Sequence, residues 1–206
     1  MKRLLRVVLP VLALSFVGAC DEPEYEDADG NLLGEGLSDD LILDTLTSDL
    51  HPAEAGYCDA VTNALWNDSW ETLETQVIAE INKRRAAGAT CGGVAKAKVA
   101  AVTLNTKLRC ASRKHSKDMK VNNFFSHTGS NGSTPWARIQ SAGYVYTNAA
   151  ENIAAGQTTA LAVVNGWMAS TGHCNNIMNG VLKEVGVGYY PGGTYGHYWT
   201  QDFGKP

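Results

Sequence analysis

Three side chains in this sequence have the types and settings that chemistry needs. His127 closes Phe124-Phe125-Ser126-His127, Glu151 opens Glu151-Asn152-Ile153, and His173 lies in Gly172-His173-Cys174-Asn175-Asn176-Ile177. Each is set among apolar residues able to hold it in place. Two imidazoles and a carboxylate sharing one pocket can bind a metal or move a proton. Neutral imidazoles favour Zn2+ or a similar divalent cation, and Glu151 can either coordinate it or act as general base on a bound water. Three protein ligands plus water make an open, catalytic type of metal site. Read instead as a buried hydrogen-bond network, the trio specifies a core and does no chemistry. A Ser-His-Glu hydrolase drawing on Ser126, Ser130 or Ser170 lacks the Gly-x-Ser-x-Gly elbow. Neither an oxyanion stabiliser nor a substrate pocket is legible, so the balance leans away from an enzyme.

Helices and strands must carry these groups. From Thr72 to Arg85, Leu73, Val77, Ile78 and Ile81 follow helical spacing, and Ala87-Gly88 offers a C-cap. Leu104 to Val121 is the clearest helix, with Leu104, Leu108, Ala111, His115 and Met119 on one face. His115 therefore points at the core. Arg109, Arg113 and Lys117 line another face, read as a solvated one; without interleaved aromatics it gives no support to nucleic-acid binding. Thr134-Pro135-Trp136 opens a helix that Ser141-Ala142-Gly143 closes, and Thr158 or Thr159 caps another running to Ala169. Thr171-Gly172 breaks it, and His173 begins a short further turn. Val145 to Ile153, Glu184 to Tyr190 and Tyr195 to Phe203 read as strands, the last two joined by Pro191-Gly192-Gly193-Thr194 as a hairpin. The expected architecture is a three-layer α/β/α sandwich with a small, mainly antiparallel sheet. Tyr144, Trp167 and Trp199 are assigned to packing, and Arg138 to pairing with a carboxylate or carbonyl.

The N-terminus looks like an export and anchoring device. Lys2, Arg3 and Arg6 precede a largely apolar run from Leu4 to Val17, too short for a comfortable membrane span. It ends in Val17-Gly18-Ala19-Cys20, which resembles a bacterial lipobox, making residues 1–19 a signal peptide and Cys20 the lipid attachment point. From Asp21 to Asp59 there are thirteen acidic residues and no Lys or Arg. Residues 68–206 hold eight acidic and fourteen basic ones, a net of about +6. Residues 20–70 therefore read as an acidic, flexible tether that cannot bury enough apolar surface to fold alone. Residues 71–206 are long enough for a single core.

Cys58, Cys91, Cys110 and Cys174 remain, and an even count in an exported chain implies two disulfides. Four cysteines allow three pairings, and the sequence does not choose among them. The expected one is Cys91–Cys110, closing a loop between two helices, with Cys58–Cys174 pinning the tether near His173. No Cys-x-x-Cys spacing supports a zinc cluster.

The motifs occur in a recognisable order. Phe-Phe-Ser-His127, Gly143-Tyr144, Ala150-Glu151-Asn152-Ile153-Ala154, Gly166-Trp167-Met168, Gly172-His173-Cys174-Asn175-Asn176-Ile177, Val185-Gly186-Val187-Gly188-Tyr189 and Tyr198-Trp199-Thr200-Gln201-Asp202-Phe203 follow one another across residues 72–204. Together they resemble the superfamily of cysteine-rich secretory proteins, antigen 5 and pathogenesis-related proteins, in its bacterial SCP-like extracellular branch. The resemblance implies an α/β/α sandwich and a cleft with two His and two Glu. His127, Glu151 and His173 match three of the four; the position of the second Glu reads Ser170, so one carboxylate of the cleft is missing. It also brings peptidase activity, proposed in the family, and sterol or fatty-acid binding by a separate apolar groove, suggested for some members; the divalent cation comes from the residues themselves, and a cell-envelope polymer is a further possible ligand. The reading is thus a lipid-anchored, extracytoplasmic, ligand- or metal-binding module of a bacterial envelope. The alternatives are a metal-assisted, peptidase-like hydrolase with Glu151 as candidate catalytic residue, and a non-catalytic interaction module.

Overall fold

The computed structural model describes residues 56–206. The expected signal peptide (residues 1–19), the expected lipid attachment at Cys20 and most of the expected tether (residues 20–70) lie outside the described residues. The chain runs through α1 (Asp68–Ala87), β1 (Ala89–Cys91), β2 (Val94–Lys96), β3 (Thr103–Leu104) and α2 (Thr106–Val121). It continues through α3 (Pro135–Ser141), β4 (Asn148–Ala155), α4 (Ala160–Ala169), α5 (Thr171–Ile177), β5 (Glu184–Pro191) and β6 (His197–Lys205). β1 and β2 form a separate antiparallel hairpin. The main sheet has the order β3-β5-β6-β4, antiparallel except for the short β3–β5 pair.

Strand alternation divides the core into two layers. Val185, Val187 and Tyr189 pack with Trp199 and Phe203 against Val77 and Ile81 of α1 and Val163, Val164 and Trp167 of α4. The opposite face of β5 presents Gly186 and Gly188, where a Cβ would collide with the α2 backbone at Leu108–Arg109 and Ser112–Arg113. Helix α2 therefore rests directly on the sheet, and Ser112 and Ser116 donate hydrogen bonds to the carbonyls of Gly186 and Gly188. This is the expected α/β/α sandwich. The rings of Trp167 and Trp199 are fully buried, and their Nε1 atoms donate to the carbonyls of Ile153 and Gln157.

Capping side chains set the helix starts. Asn67 Oδ1 accepts from Ser69 N at 2.9 Å, so α1 begins four residues before the expected Thr72. Asn105 Oδ1 accepts from Lys107 N and Leu108 N, which leaves Leu104 outside α2, in strand β3 and 42 % exposed. Thr134 caps α3, with Pro135 at its first position, and Thr159 caps α4. The third strand starts three residues later than expected, at Asn148, and β6 starts two residues later, at His197.

Two expectations are corrected. The disulfides are Cys58–Cys110 and Cys91–Cys174, not Cys91–Cys110 and Cys58–Cys174. Cys110 lies on the α2 face that receives the segment 57–66, whose Val61 and Trp66 are buried in the same cluster as Leu108 and Ala111. Cys91 ends β1 against α5, where Cys174 is fully buried. The Arg stripe of α2 is not solvated either. Arg109 and Arg113 are buried and meet Glu71 and Glu74 of α1, with Arg113 Nη2 2.6 Å from Glu74 Oε2. Arg113 also donates to the Val61 carbonyl, so one guanidinium ties α1, α2 and the segment 57–66 together.

Candidate functional site

His127 lies in the loop after α2. The chain reverses at Asn123, a non-glycine residue with φ 54°, a conformation that Asn tolerates better than most residues. Two buried side chains then hold the loop by its carbonyls. His115 Nε2 donates to the Ser126 carbonyl at 2.9 Å, and Arg138 Nη2 donates to the His127 carbonyl at 2.9 Å. Glu151 comes from the middle of β4, its side chain 2 % exposed. Its two oxygens go to different partners: His127 Nδ1 lies 2.7 Å from Oε1, and Arg138 Nη2 lies 2.7 Å from Oε2.

The electrostatics follow from this arrangement. Burial alone would raise the Glu151 carboxyl, but the His127 hydrogen bond and the Arg138 guanidinium hold it well below the usual carboxylate range. An ionised Glu151 can only accept, so His127 Nδ1 carries a proton, and in the neutral ring Nε2 is then the acceptor. A buried carboxylate that fixes the tautomer of an imidazole, here 41 % exposed, is how outer-shell groups orient a ligating histidine. His115, directly behind, is held neutral: burial pushes it down to about 4.

His173 enters from the other side of β4. It sits in the first turn of α5, half-buried, next to Cys174 and its disulfide to Cys91. Its carbonyl accepts from Asn152 Nδ2 at 3.3 Å, and Asn176 Nδ2 donates to Asn152 Oδ1 at 2.9 Å. These amides fasten α5 to the strand residue next to Glu151. Ser170 occupies the α4–α5 junction, where its carbonyl accepts from Cys174 N. The other serines considered as nucleophiles are engaged elsewhere: Ser126 Oγ accepts from Thr128 N, and Ser130 Oγ donates to Asp118. Arg138 pairs with a carboxylate and carbonyls, as its sequence setting suggested.

The structure thus joins His127, Glu151 and Arg138 tightly, with His173 on the neighbouring element. Among the described residues no three His, Cys, Asp or Glu side chains gather as a metal-holding group. Both Glu151 oxygens are engaged, Oε1 by His127 and Oε2 by Arg138. A hidden layer also lies behind Glu151. Asp202 of β6 is its register partner, 1 % exposed, and Ser112 Oγ reaches Asp202 Oδ2 at 2.7 Å. The sequence signal for this layer is the alternation Thr200, Asp202, Gly204 along one face of β6.

Known proteins share this frame. Over 100 residues the chain is 40 % identical to the uncharacterized protein YkwD of Bacillus subtilis, a match spanning 48 % of this chain and 38 % of that protein. The uncharacterized membrane protein YlbC of the same organism is 35 % identical over 91 residues, 44 % of this chain and 25 % of the relative. The chain therefore matches well under half the length of these curated relatives. The crystal structure of an extracellular SCP-domain protein from Bacillus anthracis superposes with a TM-score of 0.58 at 26 % identity, covering 71 % of this chain and 44 % of that one. An outer surface protein of Borrelia burgdorferi shares the fold at TM-score 0.56 and 20 % identity, over 68 % of this chain and 96 % of its own. Residues 78–203 match the model of the cysteine-rich secretory protein family, CAP, and the chain belongs to that family.

Proposed function

We propose that this protein is an exported, lipid-anchored binding module whose cleft presents His127 to its ligand. The observation that carries the reading is the 2.7 Å contact between exposed His127 and buried Glu151, backed by Arg138. It spends a buried ion pair on fixing one imidazole, leaving Nε2 as a basic, accessible acceptor. The ligand class that suits this donor is a divalent cation such as Zn2+, taken by His127 together with His173. Lipid and envelope-polymer ligands are the competing occupants. Anchoring through Cys20 would keep the module at the outer face of a bacterial membrane, raised by the acidic tether.

The test is zinc calorimetry on the full chain beside a His127→Ala/His173→Ala variant. Micromolar-or-tighter binding that disappears in the variant supports the cation reading. A folded wild type that gives no zinc heat near neutral pH moves the ligand to lipid or cell-wall polymer. Anchoring is tested separately: detergent-phase partitioning in the producing cell should be lost in Cys20→Ala.

A further inference from the structure

A concavity lined by none of His127, Glu151 and His173 lies where the segment 57–61, helix α2 and the loop 130–133 meet. It encloses about 370 Å3, a volume that suits a small molecule. Three attachments hold the segment 57–61 to α2. They are the Cys58–Cys110 disulfide, Lys114 Nζ donating to the Tyr57 carbonyl at 3.0 Å, and Arg113 Nη1 donating to the Val61 carbonyl at 3.1 Å. Asp118 holds the loop, accepting from Ser130 N at 2.9 Å, Ser130 Oγ at 2.6 Å and Asn122 Nδ2 at 2.7 Å.

The groups left over define the ligand. Asp118 is satisfied by its own loop, so the carboxylate lining the pocket is already occupied. Lys114, Lys117 and Val121 stand about one helical turn apart on one face of α2, and all three line the pocket. Lys117 Nζ has no hydrogen-bond or carboxylate partner among the described residues. Lys114 keeps two of its three protons after serving the Tyr57 carbonyl. Asn131 Oδ1 accepts from Ser133 N, which leaves its Nδ2 to donate. The buried Arg138 lines the pocket too, and its Nε has no hydrogen-bond partner. Spare donors without spare acceptors select an anion. Apolar surface comes from the Tyr57 ring, 4.1 Å from Lys114 Nζ, and from Val121, 59 % exposed.

We propose that this pocket binds a phosphate ester carrying a short apolar group. Lys114 and Lys117 neutralise the phosphate as point charges, and Asn131 donates to one of its oxygens. The apolar group rests on Tyr57 and Val121. The ester belongs either to a soluble compound or to an anionic lipid headgroup, and the chemistry at the pocket is the same. Nothing here depends on what the His127 cleft binds, so a failed zinc titration leaves the proposal standing.

The experiment is 1H–15N NMR on the full chain near neutral pH, titrated with phenyl phosphate and with benzyl alcohol as its neutral counterpart. Phenyl phosphate should give saturable shifts at Tyr57, Lys117, Val121 and Asn131, with a Kd of about 1 mM or tighter. Benzyl alcohol should move none of them. Lys117 is only half-buried and unpaired, so Lys117→Gln should spare the fold and weaken phenyl phosphate about fivefold. Phosphatidylglycerol vesicles that perturb the same residues, with phosphatidylcholine vesicles silent, support the proposal with a lipid headgroup as the source. Silence with both vesicles, beside phenyl phosphate binding, supports it with a soluble ester. The proposal is overturned by an equal response to benzyl alcohol, by shifts confined to His127 and His173, or by unweakened binding in Lys117→Gln. The absence of any saturable shift up to about 10 mM phenyl phosphate overturns it as well.

Discussion

Arg113 meets Glu74 through two nitrogens, Nε and Nη2, at 3.0 and 2.6 Å, with both side chains at or below 1 % exposure. Glu74 also accepts from Trp66 Nε1 and from the backbone N–H of Tyr189, so its carboxylate joins the segment 57–66, α1, α2 and β5. Burial raises its carboxyl and the Arg113 guanidinium opposes that rise. Deleting Glu74 leaves two buried guanidiniums, Arg109 and Arg113, with only the part-exposed Glu71 to balance them. Glu74→Ala should therefore destabilise by about 3–5 kcal/mol, whereas Glu80→Ala, which breaks the surface pair with Lys83, should cost at most about 1 kcal/mol. Urea unfolding of both variants checks the contrast, and equal costs would refute it.

Gly186 lets α2 lie on the sheet. A methyl group there would drive into the backbone of Leu108 and Arg109, neither of which can yield as a side-chain tip could. Gly186→Ala should cost about 1–3 kcal/mol or more by overpacking. Gly172→Ala, where a Cβ meets nothing within 4 Å, should be nearly silent by comparison. Thermal unfolding of the two variants separates close packing from a generic loss of glycine.

These features mark where the sequence stops being legible. The periodicity of α2 disclosed its apolar face and the buried His115, because a 3.6-residue repeat records which side meets the core. The same repeat could not show that Arg109 and Arg113 are buried, since a charged residue signals burial only through its partner. That partner is visible in retrospect as Glu71 and Glu74, three apart on α1. The disulfide pairing was closed to sequence reasoning because it depends on where the segment 57–66 lies. Within the site, His127, Glu151 and the pairing of Arg138 could be read from motifs. The burial of Asp202 behind Glu151 could not, because it depends on the register that pairs β4 with β6.

The observed pairing makes a direct chemical prediction. Non-reducing proteolysis with mass spectrometry should recover Cys58–Cys110 and Cys91–Cys174 peptides. Replacing either pair by serines should cost about 2–4 kcal/mol through the entropy of the loops they close. Only loss of Cys91–Cys174 should speed amide exchange in α5, the element carrying His173. Recovery of a Cys91–Cys110 peptide would contradict the structure.

His115 should shape the acid limb of stability. Burial holds it neutral, with protonation in the native state pushed down to about 4. A histidine in the unfolded chain takes up its proton near pH 6.5, so between those values the unfolded state binds the extra proton. Stability should then fall as pH drops from about 6.5 to 4, by up to about 3 kcal/mol from this group. His115→Phe should be less stable at pH 7, having lost the bond to the Ser126 carbonyl, yet flatter across that window. An unchanged slope would assign the acid limb to other groups.

Arg138 is where fold stability and the cleft meet. It neutralises Glu151 at 2.7 Å and donates to the carbonyls of His127, in the middle of the α2–α3 loop, and Ser133, near its end. Arg138→Met keeps much of the apolar stem but leaves the Glu151 carboxylate buried with only the His127 Nδ1–H hydrogen bond to support it. The expected cost is about 3–5 kcal/mol, because a stranded buried charge outweighs the lost hydrogen bonds alone. Hydrogen exchange should rise from Ser126 to Ser133 while α4 and β5 stay protected. Any zinc affinity should fall with it, since the protonated Nδ1 of His127 depends on an ionised, fixed Glu151. Arg138→Lys should recover charge without the forked geometry and so restore stability only in part. Full restoration by Lys would mean that charge alone, rather than the guanidinium's simultaneous grip on strand and loop, holds the site together.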